Sequence, residues 1–269
     1  MTQSKPFSAF VLEFVWRTDQ GRMRQRNEDA IVVRPDWGVV VVADGIGGST
    51  AGHVASRLAT ETIAERLGRS SDPRSDAERW RLYLQATVEE ANIAILRYAK
   101  EHSDCSGMGT TVVTGVVGWD WLAFAYVGDS RLYRLHGETL TQLSRDHSFI
   151  QKVVDQGFFD TREDARRYGI SDNILTRALG SLPSVTVSAD TVEIATGDVF
   201  LFCTDGLSGM VPDDWLRQIL LAAKSETLEV AADALVQLAN ERGGTDNITL
   251  ALVRVGECLR NSSATDAPA

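Results

Sequence analysis

Four consecutive valines, Val39 to Val42, followed by Ala43-Asp44-Gly45-Ile46-Gly47-Gly48, constrain this chain more than any other stretch. An unbroken apolar run after Trp37 and Gly38 predicts a strand buried on both faces that ends in an acid and then glycines. A carboxylate is thereby held at the rim of a rigid sheet. The glycines let the backbone turn tightly and approach a ligand that a Cβ would obstruct. Taken alone, strand-Asp-Gly also describes an ordinary turn.

Repetition favours the ligand over the turn. An acid beside a glycine closes an apolar strand again in Ala125-Tyr126-Val127-Gly128-Asp129 and in Phe200-Leu201-Phe202-Cys203-Thr204-Asp205-Gly206. Two more acid-bearing loops, Arg24-Gln25-Arg26-Asn27-Glu28-Asp29 and Gly243-Gly244-Thr245-Asp246-Asn247, lie against strands. Aspartates this far apart in sequence meet only if sheets bring their strand ends together, and neighbouring carboxylates would then repel or take up protons. Hard divalent cations such as Mg²⁺ or Mn²⁺ resolve the conflict, since they want oxygen ligands and keep several waters. Two such ions about 3.5–4 Å apart can share a carboxylate and a water, lower that water's pKa and stabilise in-line displacement at phosphorus. The acids therefore point to a phosphate-ester hydrolase.

Periodicity places the motifs. Strands are predicted near 10–16, 30–34 and 39–43, then 110–118, 121–127 and 131–136, then 185–194, 198–204 and 247–255. Short loops predict antiparallel neighbours for the middle three. Apolar positions at helical spacing predict helices over 49–67, 72–101, 212–223 and 226–242. Residues 147–181 are the least regular part and are expected to lie over one end of the sheets, with short helices at 148–156 and 161–167. Blocks of strands alternating with paired helices predict an α+β fold of two antiparallel sheets packed face to face and flanked by helices. No Pro/Gly/Ser-rich linker divides the chain, so one domain is expected over 1–258, with a disordered tail at 259–269.

Composition narrows the partners. With 27 Lys and Arg against 37 Asp and Glu, a net charge of -10 argues against nucleic acid or anionic lipid. No apolar run approaches the roughly 18 residues that span a bilayer, and Lys5, Pro6, Glu13 and Arg17 interrupt the N-terminus where a signal peptide would be apolar. A soluble, cytoplasmic protein without membrane contact is expected. Cys105, Cys203 and Cys258 are too few and too scattered for a disulfide framework or zinc knuckle. None sits in a cysteine-phosphatase loop: Asp104, Phe202 and Glu257 precede them where a His belongs, and Thr111, Gly209 and Ala264 follow six residues on where an Arg belongs. A dinucleotide loop fails too, because Thr50 occupies the third glycine position after Gly45 and Gly47.

The ordered set Arg24-x-x-Asn27-Glu28-Asp29, Asp44-Gly45-x-Gly47-Gly48, Gly109-Thr110-Thr111, Gly128-Asp129-Ser130-Arg131, Ser144-x-Asp146-His147, Thr204-Asp205-Gly206-Leu207 and Gly243-Gly244-Thr245-Asp246-Asn247-Ile248-Thr249 resembles the metal-dependent Ser/Thr protein phosphatases of the PPM (type 2C) family, in their compact bacterial form. The resemblance spans about residues 10–255. It implies an α-β-β-α sandwich, a site for two or three Mn²⁺ or Mg²⁺ ions, and a variable flap over 147–181. Asp44 would bridge two metals, with the Gly45 carbonyl on the second. Asp205 and Asp246 would complete the first metal's ligands. Glu28 and Asp29 would act through metal-bound waters, and Asp129 with Asp205 would form a weaker third site. Arg24 would grip the substrate phosphate, as a bidentate guanidinium can, and Asn247 would brace the Asp246 loop.

One departure concerns the general acid. Many eukaryotic members carry a histidine after the Asp-Gly pair, where this chain has Ile46; a metal-bound water is the expected substitute. His147 is expected to cap or pack. Phosphorylated proteins are the implied substrates and a Ser/Thr kinase the implied opponent. Two rivals stand beside this reading: a non-catalytic scaffold retaining the fold, and a phosphatase dedicated to one regulatory phosphoprotein.

Overall fold

A computed structural model describes residues 8–46, 51–70, 76–223 and 227–258 of the 269. Gly47, Gly48, the expected helix start at Ser49, the expected second-helix start at Asp72 and the tail at 259–269 lie outside the described residues.

The valine strand, β3 (Val39–Ala43), is fully buried, and its alternating side chains enter two different cores. Val39 and Val41 pack with α1 (Gly52–Gly68) and α2 (Ala77–Glu101). Val40 and Val42 face a second sheet, against Phe200, Phe202 and Val253. A strand with both faces covered needs no polar alternation, hence the unbroken valine run.

Its sheet runs β10 (Ser188–Glu193), β7 (Trp121–Val127), β6 (Val112–Val117), β3 and β2 (Ala30–Arg34), all antiparallel. The facing sheet runs β1 (Phe10–Asp19), β12 (Ile248–Cys258), β11 (Val199–Cys203), β8 (Arg131–His136) and β9 (Thr139–Gln142), also antiparallel. Helices α6 (Asp213–Ala222) and α7 (Leu228–Glu241) cover its outer face through Leu216, Leu220, Leu228 and Leu235. The layering is the expected α-β-β-α sandwich.

Three local features differ from expectation. The first strand continues to Asp19, in register with Ile248, and so delivers the Arg24 loop to the end of β12. A two-residue pair, β4 (Gly45–Ile46) with β5 (Gly109–Thr110), is too short to leave a periodicity signal. The third difference is topological: β7 and β8 are not neighbours, because the Gly128-Asp129-Ser130 link crosses from one sheet to the other. Gly128 takes φ +102°, a conformation open to glycine, and its N–H donates to His147 Nδ1 at 3.1 Å while its carbonyl accepts the His147 N–H at 2.8 Å. That clamp turns the chain between the layers and fixes Asp129 at their shared rim.

Over 147–181 lie α3 (Phe149–Asp155) and α4 (Arg162–Arg167), packed through Ile150, Val153 and Ala165 into a small core of their own. Ser148 and Thr161 cap them by accepting the N–H of Gln151 and Asp164. No described helix is long and apolar enough to cross a membrane.

Candidate active site

A cavity of about 700 Å³ opens where the two sheets end, lined by Arg24, Glu28, Asp44, Gly45, Asp129, Asp205 and Asp246. The strand ends place each acid. Asp44 follows β3, Asp129 follows β7, and Asp205 follows β11 at the start of a single helical turn, α5 (Asp205–Ser208).

The backbone at Asp44 is held by hydroxyl chemistry from the neighbouring strand. Its N–H donates to Thr111 Oγ1 at 3.0 Å, and its carbonyl accepts from Thr110 Oγ1 at 2.8 Å and the Thr111 N–H at 2.9 Å. Thr111 Oγ1 shares a 2.7 Å hydrogen bond with Ser130 Oγ, so the Gly-Thr-Thr and Gly-Asp-Ser motifs interlock behind the acid. The Gly45 N–H donates to the Glu28 carbonyl at 3.2 Å.

Asn247 holds the opposite wall. Its Oδ1 accepts the Glu28 N–H at 2.8 Å, and its Nδ2 donates to the Gln20 and Arg26 carbonyls at 2.9 and 3.0 Å. It therefore fastens the Arg24-to-Glu28 loop to the Asp246 loop, a wider role than bracing Asp246 alone. Gly206 makes this assembly possible: a Cβ there would stand 1.8 Å from the Asn247 carbonyl oxygen. Arg24 reaches across the mouth, its Nη2 2.6 Å from Asp246 Oδ2.

Electrostatically the site is overloaded with negative charge. Burial first, then the Asp29, Asp205, Asp246 and Asp129 charges, raise the Asp44 carboxyl well above the usual range. Burial and Asp205 push Asp129 up to about 7. Asp29, just behind the cavity wall, is pushed up to about 7 by burial, against hydrogen bonds from Thr249 and Thr204. Burial and the Asp246 charge raise Asp205, against a hydrogen bond with Asp44. Two carboxylate oxygens here, Asp29 Oδ1 and Asp205 Oδ1, are buried without a hydrogen-bond partner. Buried polar atoms are almost always satisfied, so orphans among crowded carboxylates suit a hard cation. Among the described residues no three His, Cys, Asp or Glu side chains stand close enough to hold an ion by themselves. Carbonyls and waters would complete the shell, as such ions ordinarily allow.

The sequence named every one of these acids but missed a cationic wall facing them. Asp146, 5% exposed, accepts from Arg131 Nε at 2.9 Å and Nη2 at 2.8 Å, from Gln142 Nε2 at 2.8 Å and from Arg162 Nη1. Burial opposes its ionisation, yet the two guanidinium groups hold its carboxyl below the usual range. Arg162 and Arg166 of α4 both bind Asp172 and line the cavity. The Ser144-x-Asp146-His147 motif was a signal for Asp146; nothing in the irregular 147–181 stretch marked Arg162.

Ile46 lines the cavity where a histidine would offer a proton. His147 is 8% exposed, clamps Gly128 as above, and is pushed down to about 4 by burial and Arg177, which makes it a neutral structural imidazole. Cys203 is fully buried, and burial pushes its thiol up to about 12, so it offers no thiolate.

Known proteins resemble this chain over most of its length. A family model described as Protein phosphatase 2C matches residues 20–242. The serine/threonine phosphatase stp of Listeria monocytogenes is 39% identical over 241 residues, covering 88% of this chain and 94% of that protein. The crystal structure of the serine/threonine phosphatase Stp1 from Staphylococcus aureus superposes with a TM-score of 0.85 at 29% identity, covering 96% of this chain and 100% of that one. The catalytic domain of the phosphatase PstP, solved in complex with two manganese ions, superposes at 0.78 with 32% identity, covering 92% of this chain and all of that one.

Proposed function

The chain belongs to the protein phosphatase 2C family of serine/threonine phosphatases, and from that premise we propose that it hydrolyses phosphoserine and phosphothreonine in proteins by direct attack of water, opposing a Ser/Thr kinase. The observation that carries this reading is the convergence of Asp44, Asp129, Asp205 and Asp246, from four separate parts of the chain, on one cavity beneath Arg24.

Asp44 and the Gly45 carbonyl would hold two divalent cations between them, Asp205 and Asp246 would complete one shell, and Asp129 with Asp205 would hold a weaker third. Glu28 and Asp29 would orient coordinated waters. The structure of PstP with two manganese ions supports Mn²⁺ in this role. When bound, the cations neutralise the crowded carboxylates and supply an activated water for in-line displacement at phosphorus.

The remaining work falls to the protein's own groups. Arg24, half exposed at the mouth, swings from Asp246 to bind two phosphate oxygens and aligns the ester. The Thr110 hydroxyl and the Thr111–Ser130 hydroxyl pair hold the Asp44 backbone and keep Asp44 from following its charge toward solvent. Cys203 is fully buried and His147 clamps Gly128, so neither presents a nucleophile to the cavity, and water attacks phosphorus directly without a covalent phosphoenzyme. Ile46 stands where many eukaryotic members carry a histidine, and the leaving hydroxyl takes its proton from water.

The test is turnover of a phosphothreonine peptide by the purified chain in Mn²⁺. The reading requires hydrolysis that EDTA stops; absent turnover, or turnover that survives EDTA, would overturn it.

A further inference from the structure

The segment from Arg145 to Lys152 separates two cavities. Gln151 lines the catalytic cavity, Arg145, His147, Ser148 and Lys152 line a second cavity of about 500 Å³, and Asp146 borders both. The facing segment 174–177 continues the partition, bonded to it by the Thr176 N–H to the His147 carbonyl at 2.8 Å and the Phe149 N–H to the Ile174 carbonyl at 2.7 Å. Leu175 faces the catalytic side, Thr176 and Arg177 the other. A partition built from these two segments and the start of α3 thus serves both chambers.

The charges of the second chamber do not cancel. Asp146 spends its carboxylate on Arg131 and Arg162, across the wall. Asp155 is chelated by Arg145 through two contacts. That leaves Arg177 and Lys152. Arg177 Nη1 reaches only the Thr186 carbonyl at 3.3 Å, Ser188 Oγ at 3.4 Å and the edge of His147, and among the described residues neither cation pairs with a carboxylate. His147 Nδ1 accepts the Gly128 N–H, and its Nε2 lies 3.0 Å from Ser188 Oγ and 3.1 Å from Arg177 Nη1. The Arg177 guanidinium and the Ser188 hydroxyl thus gather at the base of a cavity that Lys152 also lines.

We propose that this second cavity binds a phosphate group, held by Arg177 and Lys152 with the Thr176 and Ser188 hydroxyls. The group is either free phosphate or the phosphoryl of a second phosphorylated residue on a protein substrate. The shared chemistry is a compact dianion, for which paired cations and hydroxyl donors are the usual receptor. This site goes beyond the catalytic reading and does not depend on it.

Calorimetric titration of inorganic phosphate into the full chain with Mn²⁺ tests it. Two classes of site are expected in the wild type. Lys152→Gln/Arg177→Gln should weaken one class about tenfold or more, the scale of a lost charge-assisted bond, and leave the other. Arg24→Ala should do the reverse. A single class lost with Arg24→Ala and untouched by the double variant would overturn the second site while leaving the catalytic one standing; no phosphate binding in the wild type would overturn it as well. Should the double variant misfold, Lys152→Gln alone, at an exposed position, should still weaken that class severalfold. Repeating the titration with a phosphonate peptide tells the sources apart: tighter binding than phosphate assigns a substrate side chain, weaker binding the free anion.

Discussion

Arg24 Nη2 and Asp246 Oδ2 lie 2.6 Å apart across the mouth of the catalytic cavity, joining a guanidinium to a carboxylate of the acidic cluster. A cation taken up by Asp246 would compete with Arg24 for that carboxylate, so on the proposed reading metal binding and release of Arg24 toward substrate would be linked.

Replacing Arg24 with Ala should leave stability nearly unchanged, because an ion pair this exposed contributes about 0–1 kcal/mol. It should lower kcat/KM for a phosphothreonine peptide roughly 10- to 100-fold, the scale of charge-assisted bonds to phosphate. Mn²⁺ should bind the variant at least as tightly as the wild type. Steady-state kinetics and Mn²⁺ titration check both.

Asp44→Asn and Asp205→Asn should each abolish Mn²⁺-dependent turnover. In EDTA the same variants should melt higher than the wild type by a few degrees. Each removes a buried charge repelled by its neighbours, and on the order of 1 kcal/mol moves Tm by about 2–4 °C in a domain of this size. Thermal melts with and without chelator read this directly.

Gly206→Ala should destabilise the protein by about 1–3 kcal/mol, the usual cost of forced overpacking, since the added methyl would meet the Asn247 carbonyl. Activity should fall as well, because the strain sits between Asp205 and Asp246. Denaturant unfolding of the variant beside the wild type measures the first, kcat the second.

His147 sets a pH dependence whose sign follows from its burial. Its folded value is pushed down to about 4 from an ordinary 6.5, so between those values the unfolded chain binds more protons than the folded one. Stability should therefore be complete above about pH 6.5 and fall as pH drops through 4. His147→Gln, which cannot titrate, should flatten that limb of the stability-pH curve.

The acids that line the cavity at Asp44, Asp129 and Asp205 were legible because each closes an apolar strand with glycine beside it, and Glu28 and Asp246 because each sits in a loop against a strand. The layering was legible from Val39–Val42, since only a strand covered on both faces carries such a run. What escaped notice depends on contacts the sequence does not mark. Gly128-Asp129 looks like a hairpin turn, and only the clamp from His147, nineteen residues on, makes it a link between sheets. Arg162 sits in an irregular stretch, and its bond to Asp146 is a product of the tertiary fold. Asn247 read as a local brace because its partners, the carbonyls of Gln20 and Arg26, lie more than two hundred residues away.

Anomalous diffraction from crystals soaked in Mn²⁺ tests the central claim most directly. The account predicts manganese peaks in the cavity between Asp44, Asp205 and Asp246, with Arg24 withdrawn from Asp246. Crystals in which the cavity stays free of manganese, or in which the metal binds away from these three carboxylates, would contradict it.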